Sequence, residues 1–178
     1  MEVLKPINEL DSPDERNLYF TVHEEGCEAR KLTLNDIYNE VESIRLHSGV
    51  PEDIRSHFSQ AQNLAVYSWH HYPFNVTSQF MAFVSVELAL KIKSGKKSNF
   101  KHLIKLAVEN KWIADEGFTI ARHREGKQQK SYVETLIEVM PNLRNRLAHG
   151  SNMLHNNCIS SLLTCSEFIN QLFEGNSS

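Results

Sequence analysis

Apolar side chains recur along most of this chain at three- and four-residue intervals, the spacing that gathers them on one face of an α-helix. Leu34, Ile37, Tyr38, Val41 and Ile44 open the pattern, and Gly49 and Pro51 end it. Pro51 suits the start of a second helix, with Ile54, Phe58, Ala61, Ala65, Trp69 and Tyr72 on one stripe and Pro73 as the stop. A third helix, over about 76–93, is apolar nearly all round, which predicts the most central position; Gly95 closes it. A shorter fourth helix starts near Ser98 or Asn99, uses Phe100, Leu103, Ile104 and Ala107, and ends near Lys111. Over 112–128, Trp112, Ile113, Phe118 and Ile120 call for burial while Gly117 and Gly126 interrupt, so a short helix between turns is expected. Tyr132, Val133, Leu136, Ile137, Met140, Leu143 and Leu147 define a fifth major helix that ends at Gly150. Pro141 lies inside it and predicts a kink or a restart. After a polar stretch over 151–157, a last helix aligns Cys158, Leu162, Cys165, Ile169 and Leu172.

The first third of the chain reads differently. Residues 1–16 contain Pro6, Pro13 and several acids without a period, the pattern of a loosely held arm. Leu18, Phe20 and Val22 then alternate with Tyr19, Thr21 and His23, and Glu24, Glu25 and Gly26 suit a turn, so a short hairpin is expected over 17–32. The expected architecture is an all-α helical bundle over 34–178, preceded by an arm and hairpin over 1–33.

Composition agrees with helix, because seven Gly and five Pro in 178 residues are too few for a loop-rich sandwich or a disordered linker. The longest apolar run, 80–90, falls short of the ~20 residues a membrane span needs. With no apolar leader after Met1, the reading is a cytoplasmic protein with no membrane partner. Three cysteines are an odd number without CxxC spacing, which argues against a disulfide framework or a zinc ribbon; Cys158 and Cys165 are expected as core filler.

The net charge of −3 conceals a polarity: residues 1–60 carry 13 acids and 6 bases, whereas 61–178 carry 9 acids and 13 bases. Lys91, Lys97, Lys101, Lys105, Arg122 and Arg124 belong to the basic stretch and make a candidate phosphate-attracting track, to which Arg146 is added. The plain alternative is a solvated face that keeps a helical protein soluble.

Glu87 follows Phe80 by seven residues and Phe83 by four, so its carboxylate points with the apolar stripe and needs a cation. Lys91, its i+4 neighbour, is one answer; an arginine from another helix is the other. Extending the stripe Val133, Ile137, Met140 by four residues reaches Arg144, which therefore projects towards a packed surface, while Arg146 falls on the other side. Asn145 and His149 are four apart, so the amide can orient the imidazole. A guanidinium that grips phosphate beside an imidazole that moves protons is the equipment of phosphodiester chemistry.

The run Arg144-Asn145-Arg146-Leu147-Ala148-His149 resembles the signature of the HEPN superfamily, an Arg, a polar residue and a His at the end of a bundle helix. The run 83–91, with Glu87-Leu88 and Lys91, is similar to the preceding central HEPN helix. The resemblance covers about residues 34–173 and implies a homodimer in which the two motifs meet across a two-fold axis. It further implies a metal-independent endoribonuclease without cofactors, acting on RNA through 2′-hydroxyl attack and leaving a 2′,3′-cyclic phosphate. His149 would do the acid/base work, Arg144 would hold the phosphate and Asn145 would orient; Glu87 is added here as a brace for Arg144.

Ser151 stands where HEPN toxins paired with nucleotidyltransferase antitoxins carry a Tyr, so that partner is not implied, although some regulatory protein partner is compatible with the reading. A non-catalytic HEPN-like dimer that binds RNA, a nucleotide or a protein is the alternative, and a plain helical interaction domain is the third. The adjacent His70 and His71 point apart and suit no metal; His23, His47, His57, His102, His123 and His155 are read as scattered surface residues. No P-loop, Gly-rich dinucleotide turn, GxSxG or HExxH is present in the sequence.

Overall fold

A computed structural model of the chain describes residues 3–23, 26–122, 131–149 and 158–175, and within them the protein is an all-α bundle with one small hairpin. Strands β1 (Thr21–Val22) and β2 (Arg30–Lys31) pair antiparallel, Thr21 opposite Lys31 and Val22 opposite Arg30. The helices are α1 (Leu34–Ser43), α2 (Glu52–Tyr67), α3 (Phe74–Ser94), α4 (Phe100–Glu109), α5 (Thr119–Arg122), α6 (Tyr132–Ala148) and α7 (Cys158–Leu172). The long α3 is central: it packs chiefly on α2 and α7 and also touches α4 and α6, while α4 packs on α6. Ile54, Phe58, Ala61, Ala82, Val86, Leu90, Leu103, Leu136, Leu162 and Phe168 form the shared core.

Local chemistry fixes the helix ends. Thr33 and Asp36 form a capping box at α1, and Arg30 donates to both Asp36 carboxylate oxygens at 2.7 Å, which ties β2 to the helix start. The Arg30 and Thr33 hydrogen bonds hold the Asp36 carboxyl well below the usual carboxylate range. Asn99 Oδ1 accepts from His102 N at 2.9 Å to cap α4. Gly95 sits at φ +65° beyond α3 and donates to the Lys91 carbonyl, a left-handed turn that suits glycine. On α7, Cys158 and Cys165 are buried, and burial raises both thiols, that of Cys158 to about 12.

The cap of α6 comes from elsewhere in the chain. Asp115, in the 3-10 turn Asp115–Gly117, accepts from Ser131 Oγ at 2.8 Å and from Tyr132 N and Val133 N at 2.9 Å each. Three donors on one carboxylate at the positive end of a helix should make Asp115→Ala cost about 1–2 kcal/mol. A thermal melt should then show a drop of roughly 2–8 °C, and an unchanged midpoint would remove Asp115 from this role.

Two expectations need correction. The arm is docked rather than loose: Lys5 Nζ donates to Ser12 O and His70 O, Asp14 N donates to Trp69 O, and Asn17 Nδ2 donates to Ser68 O and Trp69 O. Backbone and polar side chains make these contacts, so no apolar period announces them. Burial works against ionising Asp14, but hydrogen bonds from Arg16 and from Tyr72 N outweigh it and bring the carboxyl down to about 2. Helix α2 ends at Tyr67, short of Pro73, because Asn17 satisfies carbonyls released at its end and the chain turns there. Helix α6 runs through Pro141 as one element, so of the kink or restart expected there the restart does not occur. The short helix expected over 112–128 is α5, preceded by the 3-10 turn; Gly126, like Gly150 and the turn residues Glu24 and Glu25, lies outside the described residues. No helix among the described residues is long and apolar enough to cross a membrane.

Candidate functional site

Glu87 is only 8% exposed on α3, yet its carboxylate has two cations. Lys91 Nζ donates to Oε1 at 2.8 Å from the next turn, and Arg144 Nη2 reaches Oε2 from α6. Both partners offered by the sequence are therefore used at once. Burial pushes the Glu87 carboxyl up, but the Lys91 and Arg144 hydrogen bonds prevail and hold it below the ordinary range, so it stays ionised at neutral pH.

Arg144 has a side chain 29% exposed. Its Nη1 donates to Asn145 Oδ1 at 3.0 Å, and its Nε is buried with no hydrogen-bond partner among the described residues. A guanidinium carries five N–H donors. One meets Glu87, one meets Asn145 and one is the buried Nε–H, so a terminal N–H on each of Nη1 and Nη2 remains for an anion. Glu87, Lys91 and Arg144 together carry one net positive charge.

These three side chains line a groove of about 460 Å³ with His57, Phe80, Val84 and Leu88. Phe80, Val84 and Leu88 are half-buried, so the central helix, apolar nearly all round, lends one apolar face to the groove. His57 is the residue the sequence reading passed over. It comes from α2, is half-buried, and places Nδ1 2.8 Å from Ser85 Oγ on α3. A signal was available: His57 is three residues after Ile54 and four before Ala61, both on the buried stripe of α2.

His149 is the C-terminal cap of α6, exposed, and its backbone N–H bonds to the Asn145 carbonyl at 3.0 Å. Its ring is not part of the groove lining. The Asn145 side-chain oxygen accepts from Arg144, and among the described residues that amide makes no hydrogen bond to the His149 ring. Arg146 is exposed and does not line the groove.

Of the candidate basic track, Lys91 alone among the described residues joins the groove. Lys97 is exposed between α3 and α4, Lys101 pairs with Glu138 at 2.7 Å, and Lys105 lies 3.6 Å from Glu109. Arg122 Nε donates to the Glu116 carbonyl, and Arg124 lies outside the described residues. A larger apolar hollow, about 690 Å³, lies where the arm crosses Tyr67, His70, His71 and Phe74, but it has no paired charge cluster like that of the groove. His71 packs edge-on against Phe74 there. No three His, Cys, Asp or Glu side chains among the described residues are grouped to hold a metal ion. Comparison with protein-family models, curated proteins and solved structures gives no match.

Proposed function

We propose that this chain is a HEPN-like endoribonuclease that works without a metal, as a homodimer whose composite site cleaves RNA by 2′-hydroxyl attack. The observation that carries the proposal is the anchoring of Arg144 by the buried Glu87 in an open groove, with Lys91 alongside and two terminal N–H donors to spare. A guanidinium fixed in this way is oriented before substrate arrives, which is what stabilising a pentavalent phosphorus requires. The apolar face of α3 offers a surface for a base or a ribose. His149, exposed at the end of the same helix and outside the groove lining, would act on a substrate or across a dimer axis rather than within its own groove.

The test is incubation of the purified protein with RNA in excess chelator, followed by analysis of the product ends. A 2′,3′-cyclic phosphate and a 5′-hydroxyl are expected. Ends of the opposite type, or cleavage that chelator abolishes, would overturn the proposal.

One observation favours a second reading. Because the Asn145 amide is engaged by Arg144, the Glu87–Arg144–Asn145 set also works as a brace between α3 and α6, as a non-catalytic dimer binding RNA, a nucleotide or a protein would use it. Under that reading RNA is bound and left intact.

A further inference from the structure

Ribose 2′-hydroxyl attack requires two proton movements, because the attacking oxygen must lose a proton and the departing 5′-oxygen must gain one. The motif on α6 supplies one imidazole per chain, and that His149 does not line the groove that holds its own Arg144. We propose that His57 is the second, making the groove between α2, α3 and α6 a phosphodiester-binding site with its own proton carrier. The cleavage role rests on the nuclease reading above; the binding role does not.

The hydrogen-bond arithmetic around Ser85 carries the argument. Ser85 Oγ donates its only hydrogen to the Met81 carbonyl at 2.9 Å. At the 2.8 Å contact with His57 Nδ1 the serine can therefore only accept, and the imidazole must be the donor. With Nδ1–H committed, the neutral ring keeps its lone pair on Nε2, which has no hydrogen-bond partner among the described residues. The charged groups that line the groove together with this ring are Glu87 and Lys91 from α3 and Arg144 from α6. Lys91 and Arg144 are both bound to the Glu87 carboxylate, and histidine is the side-chain type suited to proton exchange near neutral pH.

The step balances as follows. His57 Nε2 takes the proton of the ribose 2′-hydroxyl as the 2′-oxygen bonds to phosphorus, with Arg144 and Lys91 on the non-bridging oxygens. The bond from phosphorus to the 5′-oxygen breaks, its electron pair leaves on that oxygen, and the His149 imidazolium supplies the proton. The products are a 2′,3′-cyclic phosphate and a 5′-hydroxyl, and exchange with solvent resets both rings.

His57→Asn separates this role from packing, because the carboxamide nitrogen of asparagine can occupy the Nδ1 position and keep the bond to Ser85 while Nε2 is lost. The expected result is a fall in kcat of about 10²- to 10⁴-fold with KM changed less than about tenfold, and loss of one limb of the pH–rate profile. A parallel measurement does not need cleavage: ¹⁵N spectra of the full-length protein titrated with a dinucleotide whose 5′-side sugar is 2′-deoxyribose should show the His57 Nε2 resonance moving to saturation. If the parent protein leaves RNA intact but that resonance moves, the nuclease reading falls and the phosphodiester site stands. If RNA is cleaved while His57→Asn retains the parental rate and pH profile, His57 is not the proton carrier. A resonance that stays still overturns the site itself.

Discussion

Arg144→Ala is expected to lower the rate of RNA cleavage by about 10²-fold or more, because it removes the donors aimed at the charge that develops on phosphorus. The same change leaves Glu87 buried with Lys91 as its remaining cation, a loss of about 1–3 kcal/mol of stability. Rate and stability must therefore be measured together, by initial rates on folded protein and by thermal melting. Arg144→Lys separates them: an ammonium can keep a charge near Glu87 but lacks the planar fork that now spans Glu87 and Asn145, so stability should recover further than activity. Arg146→Ala, at an exposed position on the same helix, should change the rate far less. Parental cleavage by Arg144→Ala would leave the guanidinium as a brace only.

The second large effect is expected at His149, where alanine should reduce cleavage by about 10²- to 10⁴-fold if the imidazole carries a proton. This variant is the cleaner of the two. The ring is exposed, and the cap bond from the His149 backbone N–H to the Asn145 carbonyl does not need it, so stability should stay within about 0.5 kcal/mol of the parent. Its position outside the groove that holds its own Arg144 also makes a prediction about pairing. If the imidazole of one chain serves the guanidinium of the other, Arg144→Ala and His149→Ala chains, each inactive alone, should regain cleavage when mixed and allowed to exchange subunits. Mixtures that stay inactive would exclude pairing across chains.

The helices were legible because their apolar residues keep one period over two or more turns: α1, α3, α4 and α7 lie close to where the spacing puts them. The docked arm was not, since Asp14 and Asn17 hold it through carbonyls and N–H groups of the α2–α3 connection, and hydrogen bonds to backbone leave no trace in a hydrophobic pattern. At the site, the burial of Glu87 followed from seven-residue spacing, and its need for a cation followed from electrostatics. What spacing could not decide was whether Lys91 or Arg144 answers that need, because each donates to a different oxygen of the same carboxylate. Asn145 was assigned to His149 on i, i+4 geometry, yet its side-chain oxygen goes to the adjacent guanidinium, a stronger donor. His57 was lost among nine histidines because its meaning depends on Ser85, 28 positions away on another helix.

Pro141 gives α6 a mechanical character that its unbroken outline hides. Having no N–H, it cannot close the ladder back to the Ile137 carbonyl, so the stretch carrying Arg144 to His149 is coupled to the Asp115-clamped beginning by one bond fewer than an ordinary helix would provide. Such a rod is clamped at its start by Asp115 and held again beyond the proline by the Arg144–Glu87 ion pair, so a side-chain brace stands where the backbone ladder is one bond short. Loss of that pair would release residues 144–149 beyond Pro141 while the clamp, and the core behind it, stays where it is.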